Sequence, residues 1–96
     1  SNEEESELVK EFQLSQNYPN PFNPTTVISF RLAESGFTTL KVYDMLGREV
    51  STLLNENMTS GTHDVSFNGS NLSSGIYIYQ LSSKGNTITR RMTLIK

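Results

Sequence analysis

Polar and apolar positions alternate along most of this chain, and the clearest alternation follows a bend. In Leu72-Ser73-Ser74-Gly75-Ile76-Tyr77-Ile78-Tyr79-Gln80-Leu81 a polar corner ending in Gly runs straight into β-branched and aromatic residues. That order predicts a strand entered from a tight turn. Upstream, Ile28, Phe30 and Leu32 fall on one face of residues 27–32, with Ser29 and Arg31 on the other, as in a half-buried strand. Residues 37–43 turn Leu40 and Val42 to one side, and residues 62–67 group His63, Val65 and Phe67.

Turn chemistry suggests how these strands pair. Asp44-Met45-Leu46-Gly47 suits a type I turn followed by a left-handed Gly, which pairs Asp44 with Arg48, Tyr43 with Glu49 and Val42 with Val50. After residues 51–54, residues 55–61 read as a polar loop. A final hairpin turning on Gly85-Asn86 sets Tyr79 opposite Met92 and Tyr77 opposite Leu94, four residues of one inward patch. On the other side Ile76 then faces Ile95, Ile78 faces Thr93 and Gln80 faces Arg91. This second face is more apolar than a free surface requires. Either the N-terminal segment covers it, or Ile76, Ile78 and Ile95 form a docking surface.

The N-terminal third is less regular. Residues 1–7 are acidic and aperiodic, and Ser1-Asn2 ahead of Glu3-Glu4-Glu5 reads as a junction into a solvated tether, so the chain is read as a segment of a longer protein. Leu8, Phe12 and Leu14, interrupted by Lys10, suggest an irregular edge strand. Pro19, Pro21 and Pro24 then forbid helix and bias Tyr18, Asn20 and Asn23 toward extended angles. Residues 16–26 are expected to form a stiff connector anchored by Tyr18 and Phe22. The boundary falls between an acidic linker, residues 1–11, and a folded domain, residues 12–96.

About seven short strands with regularly spaced turns predict an all-β, immunoglobulin-like antiparallel β-sandwich. In such folds a tyrosine near the start of a central strand turns its hydroxyl back onto the corner backbone, two residues before the usual disulfide cysteine. Tyr77 takes the first place and Tyr79 the second, filling with a ring the space a disulfide would occupy.

Composition narrows the function. The chain has 96 residues, enough for one domain with a real core, and contains no cysteine, so neither a disulfide scaffold nor thiol chemistry is available. Net charge is −2 and the basic residues are scattered apart from Arg90-Arg91, which argues against a nucleic-acid partner. No apolar run reaches the length of a membrane span, and the first residues lack the basic and apolar regions of a secretory signal. His63 is the one histidine, and on an alternating strand it and Asp64 point to opposite faces, a poor catalytic dyad. Without cysteine, and with Asp44, Glu49 and Asp64 outside any ligand-loop spacing, no metal is expected. No glycine-rich cradle precedes a helix, and neither a cofactor nor a small-molecule substrate is expected.

Four stretches together resemble a known family. Asn17-Tyr18-Pro19-Asn20-Pro21-Phe22-Asn23-Pro24-Thr25-Thr26, Val42-Tyr43-Asp44-Met45-Leu46-Gly47-Arg48-Glu49-Val50, Leu72-Ser73-Ser74-Gly75-Ile76-Tyr77 and Arg91-Met92-Thr93-Leu94-Ile95-Lys96 are similar, in this order, to the C-terminal sorting domain (type A) of type IX secretion cargo from Bacteroidetes and related bacteria. The resemblance implies a non-catalytic address at the end of a larger exported protein. Its implied partners are the cargo upstream in the same chain, the outer-membrane translocon and shuttle, and a sortase-like surface peptidase that removes the domain. Its implied route is the periplasm, then the cell surface or the medium. The terminal element, residues 85–96, would be the part most directly read, with Gly85, Arg91, Met92, Leu94, Ile95 and Lys96 as recognition residues and Arg91 where the family often has Lys. Pro19, Pro21, Pro24, Asp44, Gly47, Gly75, Tyr77 and Tyr79 would be structural.

A physical route fits that implication, because a terminal strand can add through its backbone to a receptor sheet, and residues 87–96 are placed to do so. The rival expectation is an immunoglobulin-like structural or adhesive module, such as that of flagellar hook-capping proteins, or a carbohydrate-binding sandwich. A sugar binder should display a row of aromatic platforms, and this chain has no tryptophan.

Overall fold

Alternation of period two, repeated with few interruptions, leaves the chain no means of burying its apolar residues except as two facing sheets. The computed structural model describes residues 12–96 and contains seven strands, β1 Gln13–Leu14, β2 Thr25–Leu32, β3 Gly36–Tyr43, β4 Glu49–Met58, β5 Gly61–Asn68, β6 Gly75–Ser83 and β7 Asn86–Leu94. They form a three-stranded sheet, β1-β2-β5, and a four-stranded sheet, β4-β3-β6-β7, with every ladder antiparallel. Ile28, Phe30, Leu32 and Phe67 from one layer meet Leu40, Val42, Tyr77, Tyr79, Leu81, Met92 and Leu94 from the other. The immunoglobulin-like sandwich expected from the pattern is the fold observed.

Both hairpins keep the expected faces and depart from the expected pairing. In the first, the Asp44 N–H donates to Arg48 O at 2.9 Å, and the Gly47 N–H closes the turn onto Asp44 O at 3.0 Å. Gly47 has φ +86°, a conformation that a side chain would strain. Tyr43 pairs with Glu49 as expected, but Val42 lies opposite Ser51 and not Val50, with a second register shift between Leu40 and Lys41. Strict alternation from Val50 would turn Leu53 away from the core. The two bulges let Val50, Leu53 and Leu54 all pack against it.

In the second hairpin the two-residue loop is Lys84-Gly85, with φ of +53° and +80°, and Ser83 pairs with Asn86. Gly85-Asn86 is therefore not the turn. Moving the loop back by one residue shifts every pairing by two, so Tyr77 faces Met92, Tyr79 faces Arg90, Ile76 faces Thr93, Ile78 faces Arg91 and Gln80 faces Thr89. A shift of two preserves the faces, and Tyr77, Tyr79, Met92 and Leu94 are all buried.

Three further expectations are corrected. Residues 55–58 are not loop: β4 continues through them, with Asn55, Glu56 and Asn57 opposite Thr39, Thr38 and Phe37. A strand on a sheet edge can pair through its backbone while carrying polar side chains, which hid it from a hydrophobic reading. Of the two connector anchors, Phe22 is buried at 1% exposure, edge-on to Phe67 with ring centroids 6.0 Å apart, whereas Tyr18 is 81% exposed. Asn17, at 2% exposure, takes the second anchoring role. The edge strand expected around Leu8 and Leu14 is seen as β1 alone, and Leu8 and the acidic tether lie outside the described residues.

Candidate recognition surface on the terminal strand

β7 forms an edge of the four-stranded sheet, and its alternation assigns its side chains to two faces. Met92 and Leu94 are each 1% exposed and belong to the core, so a partner touching the folded surface meets neither. Arg91 and Thr93 alternate with them on the outer face, beside Ile78 and Ile76 respectively. Gly85 sits at one end of β7 and Lys96 beyond the other, so the expected recognition residues occupy both ends of a long strand.

Lys96 is tied down. Its Nζ donates to the carbonyls of Ser70 and Leu72 at 2.6 and 2.9 Å, and its N–H donates to Ser74 Oγ at 3.0 Å. It thereby fastens the chain end to the polar corner that leads into β6. The same corner receives the Tyr77 hydroxyl, which donates to Ser73 O at 2.7 Å, the contact expected of a corner tyrosine.

The proline connector also reaches β7, a role that sequence reasoning missed. Phe22 N–H donates to Thr93 O and Ile95 N–H to Phe22 O, both at 2.9 Å, in a short parallel bridge. Asn20 Oδ1 accepts from the Thr93 N–H at 3.0 Å, and Gln16 Nε2 donates to Arg91 O at 2.6 Å. On its other side the connector pairs with β2, through reciprocal Tyr18 and Val27 bonds of 3.0 Å. It therefore laces the two sheets together across their open side. Where it crosses, the backbone of Gly69 lies so close that a Cβ there would stand 3.1 Å from Leu94 and 3.4 Å from Phe22.

A buried polar network fixes the connector. Tyr79, fully buried, donates its hydroxyl to Ser15 O at 2.7 Å and accepts the Asn17 N–H at 2.8 Å. Asn17 Nδ2 donates to Pro19 O at 3.1 Å and to Thr26 Oγ1 at 3.0 Å, and Thr26 returns a bond to Pro19 O at 2.9 Å. Burial raises the Tyr79 phenol above its ordinary value, against the opposing pull of the Asn17 N–H and the Arg90 charge. The asparagines of an Asn- and proline-rich connector look like turn residues in sequence, which concealed their part in this network.

The β3–β4 turn, at the same end of the strands as Lys96, carries a second ordered site. Asp44 Oδ1 accepts the N–H groups of Leu46 and Arg48 at 2.9 and 3.0 Å, and Oδ2 accepts from Arg48 Nε at 2.8 Å. The Arg48 N–H, then its side chain and the Leu46 N–H, hold the Asp44 carboxyl below the usual carboxylate range. The Thr52 hydroxyl and then Lys41 do the same for Glu49. These are turn-stabilising contacts. Nearby, Tyr43, Met45 and Ile78 border a shallow groove, and Ile76 and Ile95 are 41% and 52% exposed on the same outer face. Among the described residues the N-terminal segment runs along the edge between β1 and β7 and does not cover that face.

His63 stacks on Phe30 with ring centroids 5.3 Å apart, and its Nε2 lies 2.8 Å from Thr59 O. Asp64 points away and accepts from Ser29 Oγ at 2.7 Å. Among the described residues no group of three or more His, Asp or Glu could hold a metal ion.

The sequence pattern of the secretion system C-terminal sorting domain matches residues 16–96. The chain belongs to this family. Solved structures bear out the sandwich of this sorting domain. PorZ, described as an essential bacterial surface component of the type IX secretion system of Porphyromonas gingivalis, aligns with a TM-score of 0.59 and 20% identity over 95% of this chain and 12% of its own. A DUF3244 family protein from Bacteroides vulgatus, described as having an immunoglobulin-like β-sandwich fold, aligns with a TM-score of 0.54 and 15% identity over 85% of this chain and 94% of its own. FlgD from P. aeruginosa gives 0.50 and 23% identity over 72% and 58% of the two chains. At these identities the likeness is one of fold. No curated protein matches the sequence. The sorting domain thus spans about an eighth of the PorZ chain, and membership of the family makes it a type IX sorting signal for export to the cell surface or the medium.

Proposed function

We propose that this domain is a non-catalytic address carried by a larger protein, which it directs across the outer membrane through the type IX system. The family match over residues 16–96 carries this reading. The outer-membrane translocon and its shuttle bind the domain on the β7 side, where Arg91 and Ile95 are exposed, and a sortase-like peptidase cuts in or before the acidic segment ahead of residue 12. The upstream cargo supplies whatever activity the whole protein has. His63 held by a ring and a carbonyl, and Asp64 turned from it, support a role without chemistry.

The structure changes how the reading is tested. Deleting residues 87–96 would remove Met92 and Leu94 from the core, so lost export would report unfolding. The informative comparison is a periplasm-directed passenger with and without this domain, and with Arg91→Glu, in a bacterium that has the type IX system. The passenger should reach the surface or the medium only with the domain, and Arg91→Glu should reduce export without lowering the melting temperature. Equal export with and without the domain would refute the reading.

A further inference from the structure

β7 is covered along only half of its free edge. In its regular ladder with β6 the even residues pair inward, and residues 87, 89, 91 and 93 turn their N–H and C=O groups away from the sheet. The connector occupies Arg91 O, both groups of Thr93 and the Ile95 N–H. Nothing among the described residues takes the N–H and C=O of Thr87 and Thr89 or the N–H of Arg91. An open groove of about 360 Å³ lies alongside, between β7 and β1, lined by Phe12, Gln13, Leu14, Ser15, Ile88 and Arg90.

Folded proteins ordinarily guard such an edge with bulges, prolines or inward charges. The opposite edge of the same sheet, β4, has two register shifts and the carboxylates Glu49 and Glu56. Residues 87–91 have no bulge and no proline; their one guard is Arg90, an inward charge that folds across the groove to donate its Nε–H to Leu14 O and leaves the backbone groups of Thr87 and Thr89 open. Arg91 projects from the outer face, and among the described residues neither guanidinium meets a carboxylate.

We propose that the Thr87, Thr89 and Arg91 edge of β7, with the groove beside it, accepts an extended segment of a partner protein that carries an acidic side chain. The segment pairs with the open backbone groups as an added strand, lays an apolar side chain into the groove over Ile88 and sets its carboxylate near Arg91. The proline connector ends the docking site at Arg91, so the last residues of β7 are structural and the middle of the strand is read. This rests on the reading of the domain as an export address and assigns the site within it.

Thr89→Pro tests the proposal. Its N–H points away from β6, so a proline there deletes a docking donor and leaves the β6 ladder intact. With a passenger fused ahead of residue 1, in a type IX-competent host, Thr89→Pro should keep the wild-type melting temperature within a few degrees and lower export at least tenfold. Thr89→Val should export normally. A folded Thr89→Pro domain that exports as wild type overturns the site. If Thr89→Pro does not fold, a photo-crosslinking residue at position 89 decides. An adduct identified by mass spectrometry as a component of the outer-membrane export machinery upholds the site; no adduct, or one with a second copy or with the domain's own chain, overturns it. A passenger exported equally without the domain would sink the address reading itself, whereas loss on removing the domain beside normal export of Thr89→Pro sinks only the strand site.

Discussion

The backbone N–H of Asn17 meets the hydroxyl of Tyr79 at 2.8 Å across 62 positions of sequence, inside the sandwich. The same hydroxyl donates to Ser15 O, so one oxygen serves two backbone groups that the connector could not otherwise satisfy. Tyr79→Phe keeps the ring and abandons both. We expect it to destabilise the domain by ~1–3 kcal/mol, lowering the melting temperature by several degrees. Tyr77→Phe loses one bond at a half-exposed corner and should cost about 1 kcal/mol or less. A urea titration of the two variants gives the order, and equal midpoints would show that the network contributes nothing beyond packing.

The raised Tyr79 pKa has a definite sign. The folded state holds the phenolic proton more tightly than the unfolded chain, so its contribution is complete below about pH 10 and is lost as pH rises toward the folded value. Stability measured from pH 8 to 11 should therefore fall at the alkaline end. Tyr79→Phe should remove part of that slope.

Asp44 acts at the acid end. Its carboxyl lies below the ordinary range in the folded state, so its contribution is present above about pH 4 and disappears as pH falls through the folded value. Asp44→Asn should lower the melting temperature at pH 7 and flatten its fall between pH 5 and 2. An unchanged acid slope would mean that other carboxylates, Glu49 first among them, set it.

Lys84 is held at φ +53° in the β6–β7 turn, where a lysine is poorly suited. Lys84→Asn should stabilise the domain by up to about 1 kcal/mol. It gives up a 3.9 Å approach to Glu34 on the surface, worth little in water, and the cover of the Lys84 stem over Gly36. A lower melting temperature for Lys84→Asn would contradict this account of the turn.

What could be read from the sequence follows from what alternation encodes. Period two assigns faces, and the inward sets of β2, β3, β6 and β7 came out as expected, as did the Tyr77 corner and the Asp44 turn. Alternation alone does not fix register. Gly85 could open one two-residue loop or close its neighbour with the same faces inward, and only the conformation of Lys84 separates them. Bulges at Val50 and Leu53 and the polar run of β4 escaped because neither changes the apolar count. The half-covered β7 edge escaped because hydrogen bonds from the side chains of Gln16 and Asn20 and the backbone of Phe22 to the β7 backbone leave no hydrophobic trace across more than 70 positions.

The direction of β7 sets the two ends of the described chain at opposite poles of the sandwich. Phe12 shares a small hollow with Lys84 and Asn86, while Lys96 is fastened at the far corner, some 30 Å along the strand at about 3.3 Å per residue. Residue 12 therefore enters the fold at the pole where β7 begins, beside the β6–β7 turn, and the corner that holds Lys96 lies at the opposite pole.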